Sequence, residues 1–155
     1  ATDFGMPMGP IELMDTIGLD ICVASAKSMG QAGFPSVNNL VQAGKLGKKS
    51  GAGFYTWHAG KPSKPKISSA ERFPDDITDR LIMRLVNEAA TCLREGVVAD
   101  ADLVDAGMIF GTGFAPFRGG PMTYAAEQQK ANIKERLDNL AVRYGDRFVP
   151  DPAWS

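Results

Sequence analysis

Residues 75–93 read Asp75-Asp76-Ile77-Thr78-Asp79-Arg80-Leu81-Ile82-Met83-Arg84-Leu85-Val86-Asn87-Glu88-Ala89-Ala90-Thr91-Cys92-Leu93. Ile77, Leu81, Ile82, Leu85, Val86, Ala89, Ala90 and Leu93 recur at steps of four and one. That spacing is the stripe of a helix with one buried face, about twenty residues long. Asp75-Asp76 suits its positive end and Gly96 ends it. Asp100 then caps a helix over 100–110 that carries Leu103, Val104 and Ile109. Further helical stretches fit 121–129 and 131–143, and the end from Tyr144 to Pro152 reads as an extended tail.

Upstream the punctuation is similar. Gly9-Pro10 places a proline in the first turn of a short helix that Gly18 ends. Asp20 is expected to cap the next helix, with Cys22, Val23 and Ala26 as its stripe and Gly30 as its stop. Ser36 is expected to cap a third, Val37 to Ala43. Four glycines between Gly44 and Gly53 demand a loop. Phe54-Tyr55-Thr56-Trp57 is an extended aromatic stretch that pins it. Residues 58–74 are a Lys/Pro/Ser linker by composition. Alternation of period two is nowhere long enough for a sheet, so the expected class is all-α.

The 155 residues suffice for one ordinary domain or two small ones. With 44% hydrophobic and 23% charged residues the chain is globular rather than disordered or collagen-like. A net charge of −1 disfavours a strongly basic nucleic-acid binder. The apolar runs are too short to span a bilayer, and no signal peptide is visible at the start. Cys22, Cys92 and the single histidine, His58, lack metal-ligand spacing, so two buried reduced thiols and no metal are expected.

Two Gly/Pro elbows resemble each other. Phe4-Gly5, Pro7 and Gly9-Pro10 correspond to Phe110-Gly111, Pro116 and Gly120-Pro121, if the second copy carries an extra residue pair. Each elbow leads into a helix, so a helical unit is expected twice. Two helices precede the second elbow and none precedes the first. The first copy is therefore expected to lack its leading helix, and the start at Ala1 fits a fragment of something longer. The expected organisation is a first unit over 1–57, a linker over 58–74, and a second unit with its tail over 75–155.

The chemical motifs are mostly negative. Gly111-Thr112-Gly113 fails as a dinucleotide fingerprint because Pro116 takes the third glycine position. Gly51-Ala52-Gly53 fails because Thr56 does. Gly47-Lys48 is followed by Lys49, which fails as a phosphate-binding Walker loop. His58 lies in the linker, where nothing orients it for a catalytic triad. No catalytic or cofactor-binding residue is therefore expected in this chain. The best functional candidate is the loop over 44–53, whose Lys45, Lys48, Lys49 and backbone N–H groups could meet phosphates. The bland alternative is a tight loop with solvated lysines.

Phe4-Gly-Met-Pro-Met-Gly-Pro-Ile-Glu-Leu-Met-Asp15, Gly18-Leu-Asp20 and Gly47-Lys-Lys-Ser-Gly-Ala-Gly-Phe-Tyr55 together resemble the C-terminal domain of 3-hydroxyacyl-CoA dehydrogenases. Leu85-Val-Asn-Glu-Ala-Ala-Thr-Cys-Leu-Arg-Glu-Gly96 and Gly113-Phe-Ala-Pro-Phe-Arg-Gly-Gly-Pro121 resemble a second copy of it. Two copies resemble the multifunctional enzymes of the fatty acid oxidation complex α-subunit type. The resemblance implies two tandem helical units like the C-terminal unit of 6-phosphogluconate dehydrogenase. It implies an upstream Rossmann domain holding NAD and the catalytic pair, with no cofactor in this fragment and an acyl-CoA substrate for the parent.

It further implies that Phe4, Pro7, Met8, Lys48 and Lys49 line the substrate cleft. The family's substrate-holding Asn is matched in the second copy by Asp79, which lacks amide donors, so that copy is expected to be silent. The isolated chain is expected to fold without catalysing, to leave an apolar groove open to self-association, and to have a cytoplasmic parent, with an organellar matrix or peroxisome as the alternative. The competing class is a free-standing helical module that binds acyl-CoA or a protein. A third reading is the helical half of a 6-phosphogluconate or 3-hydroxyisobutyrate dehydrogenase, against which the Gly47–Tyr55 block argues.

Overall fold

The computed structural model describes residues 1–31, 33–66 and 73–155; residues 67–72 of the expected linker and Ala32 of the expected loop over 31–36 lie outside them. Among the described residues there are seven α-helices. They are α1 Pro10–Ile17, α2 Leu19–Ser28, α3 Pro35–Gln42, α4 Ile77–Arg94, α5 Ala101–Thr112, α6 Pro121–Gln128 and α7 Lys130–Tyr144. The mostly helical class follows the sequence patterns closely. The exception is a two-stranded hairpin, β1 Thr56–His58 paired antiparallel with β2 Lys61–Ser63. Three-residue strands are too short to register as a period-two pattern, and β2 falls in residues whose composition reads as linker. The tail also differs from expectation: it holds single 3₁₀ turns at Asp146–Phe148 and Pro152–Trp154.

The chain divides into two compact units. One comprises Met8–Glu71, the other Ala1–Pro7 with Arg72–Ser155. In the larger unit α4 packs on α6 and α7 while α5 packs on α6. The stripe of α4 supplies Ile82, Met83, Val86 and Ala90 to a core closed by Ile133, Leu137 and Leu140 of α7. Phe4 belongs to this core by contact. Its ring stands edge-on to Phe114 and Tyr124, with centroids 5.4 Å from each, a geometry that aligns ring edges with ring faces. The Arg118 guanidinium lies 4.1 Å from the Phe4 ring, and its Nε donates to the Phe4 carbonyl at 2.9 Å.

This packing corrects the pairing of the elbows. Phe110 is 89% exposed on α5, whereas Phe114 is fully buried beside Phe4. The counterpart of Phe4 is thus Phe114. Each elbow then runs from its buried Phe through a Gly-Pro helix start, at Gly9-Pro10 and Gly120-Pro121, into a second helix after one joint residue. The joints share an unusual backbone: Gly18 has φ 110 and ψ 127, and Gln129 has φ 67 and ψ 133. A side chain is strained in that region and glycine is not.

Two expected caps are corrected. Gly18 rather than Asp20 is the N-cap of α2, and Phe34 rather than Ser36 that of α3, with Pro35 in its first turn. Asp100 does cap α5, its carboxylate accepting from Leu103 N at 2.8 Å. The tail is held to α4 by two buried polar groups. Asn87 Oδ1 accepts from Asp151 N and Trp154 Nε1, and its Nδ2 donates to the Val149 carbonyl. The Asp151 carboxylate accepts from Arg94 Nε at 2.9 Å and from Thr91 Oγ1 at 3.0 Å.

Two outcomes follow from these contacts. Gln129→Gly relieves the strained joint and should raise stability by about 1 kcal/mol, the strain relief exceeding the added chain entropy; urea unfolding of the two proteins checks this. The Arg94 hydrogen bond, against the opposing effect of burial, holds the Asp151 carboxyl below its ordinary value of 3.8. Its contribution is therefore present above that value and lost as pH falls through the lowered one. Asp151→Asn should flatten this part of the acid limb in a pH series of thermal midpoints.

Candidate functional site

The site is built from α1 outward. Asp15 is fully buried, and no cation pairs with it among the described residues. Its carboxylate accepts from Phe54 N at 2.9 Å, Tyr55 N at 2.9 Å and Trp57 Nε1 at 3.0 Å. Three neutral donors thus replace the water that burial removed. They fasten the whole glycine-rich segment to one helix. Two glycines are there for space: a Cβ at Gly53 would stand 2.1 Å from Asp15 Oδ1, and one at Gly47 would stand 2.2 Å from the Asp15 carbonyl oxygen.

The loop is consequently tight, and the N–H groups of its glycines are already used. Gly47 N donates to Ala52 O, Ser50 N to Gly47 O, Gly51 N to Lys48 O and Gly53 N to Tyr55 O. Ser50 Oγ accepts from Leu46 N and lies 2.8 Å from Ala52 O. A backbone cradle for phosphate is therefore not what the glycines make. The sequence shows where the loop is, but the buried acceptor that consumes its donors lies forty residues away. The signal that could have found it is Asp15 itself, an acidic residue beside Leu13, Met14 and Ile17 in the last turn of a short helix.

The five residues expected to line a cleft fall in different settings. Phe4 is only 5% exposed and is a core residue with no surface for an acyl chain. Pro7 is exposed and belongs with Phe4 to the larger unit, whereas Met8, Lys48 and Lys49 belong to the smaller one. The ammonium of Lys49 sits 2.6 Å from Asp20, whose carboxyl it holds below the usual range. Lys48 reaches over the Trp57 ring, 5.7 Å from its centroid.

In the larger unit Asp79 is engaged by Arg136, whose Nε donates at 3.1 Å and whose second nitrogen lies at 2.5 Å. Arg136 also donates to Tyr124 Oη at 3.3 Å. Asp79 is thereby a partner in a fold-holding fork rather than an open polar group.

Two apolar hollows accompany these residues. In the smaller unit a hollow of about 210 Å³ is lined by Met14, Cys22, Val23, Ala26, Phe34 and Val37. In the larger unit one of about 280 Å³ is lined chiefly by Leu85, Ala89, Cys92, Leu103, Val104 and Met108. Both cysteines are half-buried rather than buried, and burial pushes the Cys22 thiol up, which keeps it protonated near neutrality. Among the described residues no three His, Cys, Asp or Glu side chains group to hold a metal. No helix among them is long and apolar enough to cross a membrane.

Comparison with known proteins places these motifs. Residues 1–57 match the family model of the 3-hydroxyacyl-CoA dehydrogenase C-terminal domain. Across 96% of its length the chain is 36% identical to the fatty acid oxidation complex subunit alpha of Vibrio vulnificus, and 33% identical to that of a Shewanella strain. It spans 23% and 24% of those proteins, about a quarter of their length. In fold it is similar to 3-hydroxybutyryl-CoA dehydrogenase from Escherichia coli K12, with a TM-score of 0.73 at 21% identity over 97% of this chain and 51% of that one. It is also similar to the dehydrogenase part of multifunctional enzyme 1 from C. elegans, with a TM-score of 0.71 at 20% identity over 99% and 39%.

Asp15→Asn tests the buried acceptor. The amide nitrogen would then face either the two N–H donors of Tyr55 and Trp57 or the one of Phe54. The expected cost is about 2–4 kcal/mol, with faster hydrogen exchange at Phe54 and Tyr55. Unchanged exchange there would remove Asp15 as the anchor of the loop.

Proposed function

We propose that this chain is the C-terminal region of an enzyme of fatty acid oxidation, of the 3-hydroxyacyl-CoA dehydrogenase family, that oxidises the 3-hydroxyl of a 3-hydroxyacyl-CoA. The observation that carries the reading is the 36% identity along 96% of the chain to a fatty acid oxidation complex subunit alpha. In the reaction the carbon bearing the hydroxyl gives a hydride to NAD, and the hydroxyl proton goes to a base. Neither role is assigned to a residue of this chain; NAD and the base belong to a Rossmann domain elsewhere in the parent polypeptide. The bacterial relatives make the cytoplasm the expected compartment.

The part given to this chain is a wall of the acyl-CoA cleft and the helical packing behind it. Of the residues expected in that wall, Met8 and Lys48 of the smaller unit have side chains accessible to a ligand. Lys49 serves through its pair with Asp20, and Phe4 through the core it fills. The second copy, with Asp79 tied to Arg136, contributes structure alone. Ile11, Leu13, Ile17 and Ile21 leave between 38% and 50% of their surface exposed on α1 and α2. We place a contact surface there, through which the isolated chain self-associates.

The intact mass of the full-length gene product is the first test. The reading expects a product several times larger than 16.6 kDa. That product should reduce NAD in the presence of a 3-hydroxyacyl-CoA, followed at the NADH absorbance, while the 155-residue chain alone should not. A product of this chain's own mass, or a longer one that does not reduce NAD with such substrates, overturns it. Light scattering of the isolated chain should give an average mass that rises with concentration; a constant monomer mass removes the contact surface.

A further inference from the structure

We draw no further inference here: the strongest candidate, the apolar hollow of about 280 Å³ between α4 and α5 together with the exposed Phe110 of α5, is an unpartnered apolar face, and nothing in the structure shows what covers it.

Discussion

A buried carboxylate without a cation beside it is expensive unless donors surround it. Asp15 meets that demand with three N–H groups, two from the backbone of the glycine-rich loop and one from an indole. The demand runs in both directions. The carboxylate needs those donors, and the loop can reach them only because Gly47 and Gly53 bring bare backbone against α1. The tight loop, the hairpin that follows it and the presentation of Lys48 all descend from this one exchange. The larger unit repeats the device at another place. Asp105 of α5 is buried and accepts from Met122 N, Thr123 N and Thr123 Oγ1 at the start of α6, with Gly120 pressed against it. In each unit a buried helical carboxylate satisfied by neutral donors thus holds a neighbouring segment, the glycine-rich loop against α1 and the start of α6 against α5.

The helices were legible because their signals are local. The stripe of α4, the Gly-Pro starts of α1 and α6 and the Asp100 cap each lie within a few residues of what they determine. The caps that failed did so for tertiary reasons. Asp20 has the right chemistry for an N-cap, but Lys49 claims it from 29 residues away. Ser36 loses its place because Pro35 already provides the first turn of α3. The hairpin was hidden because its stability comes from Trp57 under Asp15 rather than from a strand pattern of its own.

The candidate site was only partly legible. The lysines and glycines of residues 44–53 marked the right loop, yet their roles needed the partners. Glycine frequency reads as freedom, and here it reflects close approach. Positive charge reads as one patch, and here a third of its six lysines are cancelled by Asp20 and Glu12. The motif blocks that carry the family resemblance survive this sorting because they are the pieces of one packing arrangement: Asp15 ends the first block, and Phe54-Tyr55 end the block that binds it. Phe4 illustrates the opposite case. A position quoted for the cleft proved to be a core aromatic whose nearest partners, Phe114 and Tyr124, lie over a hundred residues further along the chain.

The two tryptophans divide between the two units, and each indole N–H is spent on a buried side-chain oxygen, Trp57 on Asp15 and Trp154 on Asn87. Each unit therefore carries one tryptophan, the ring that emits alone when excited beyond tyrosine absorption, and in each that ring is tied to the polar hub that orders its surroundings. The emission of this chain is a sum of two local reporters. Replacing either ring by phenylalanine leaves a protein whose light speaks for one unit alone, so the order in which the units come apart is open to a cuvette measurement without any added label.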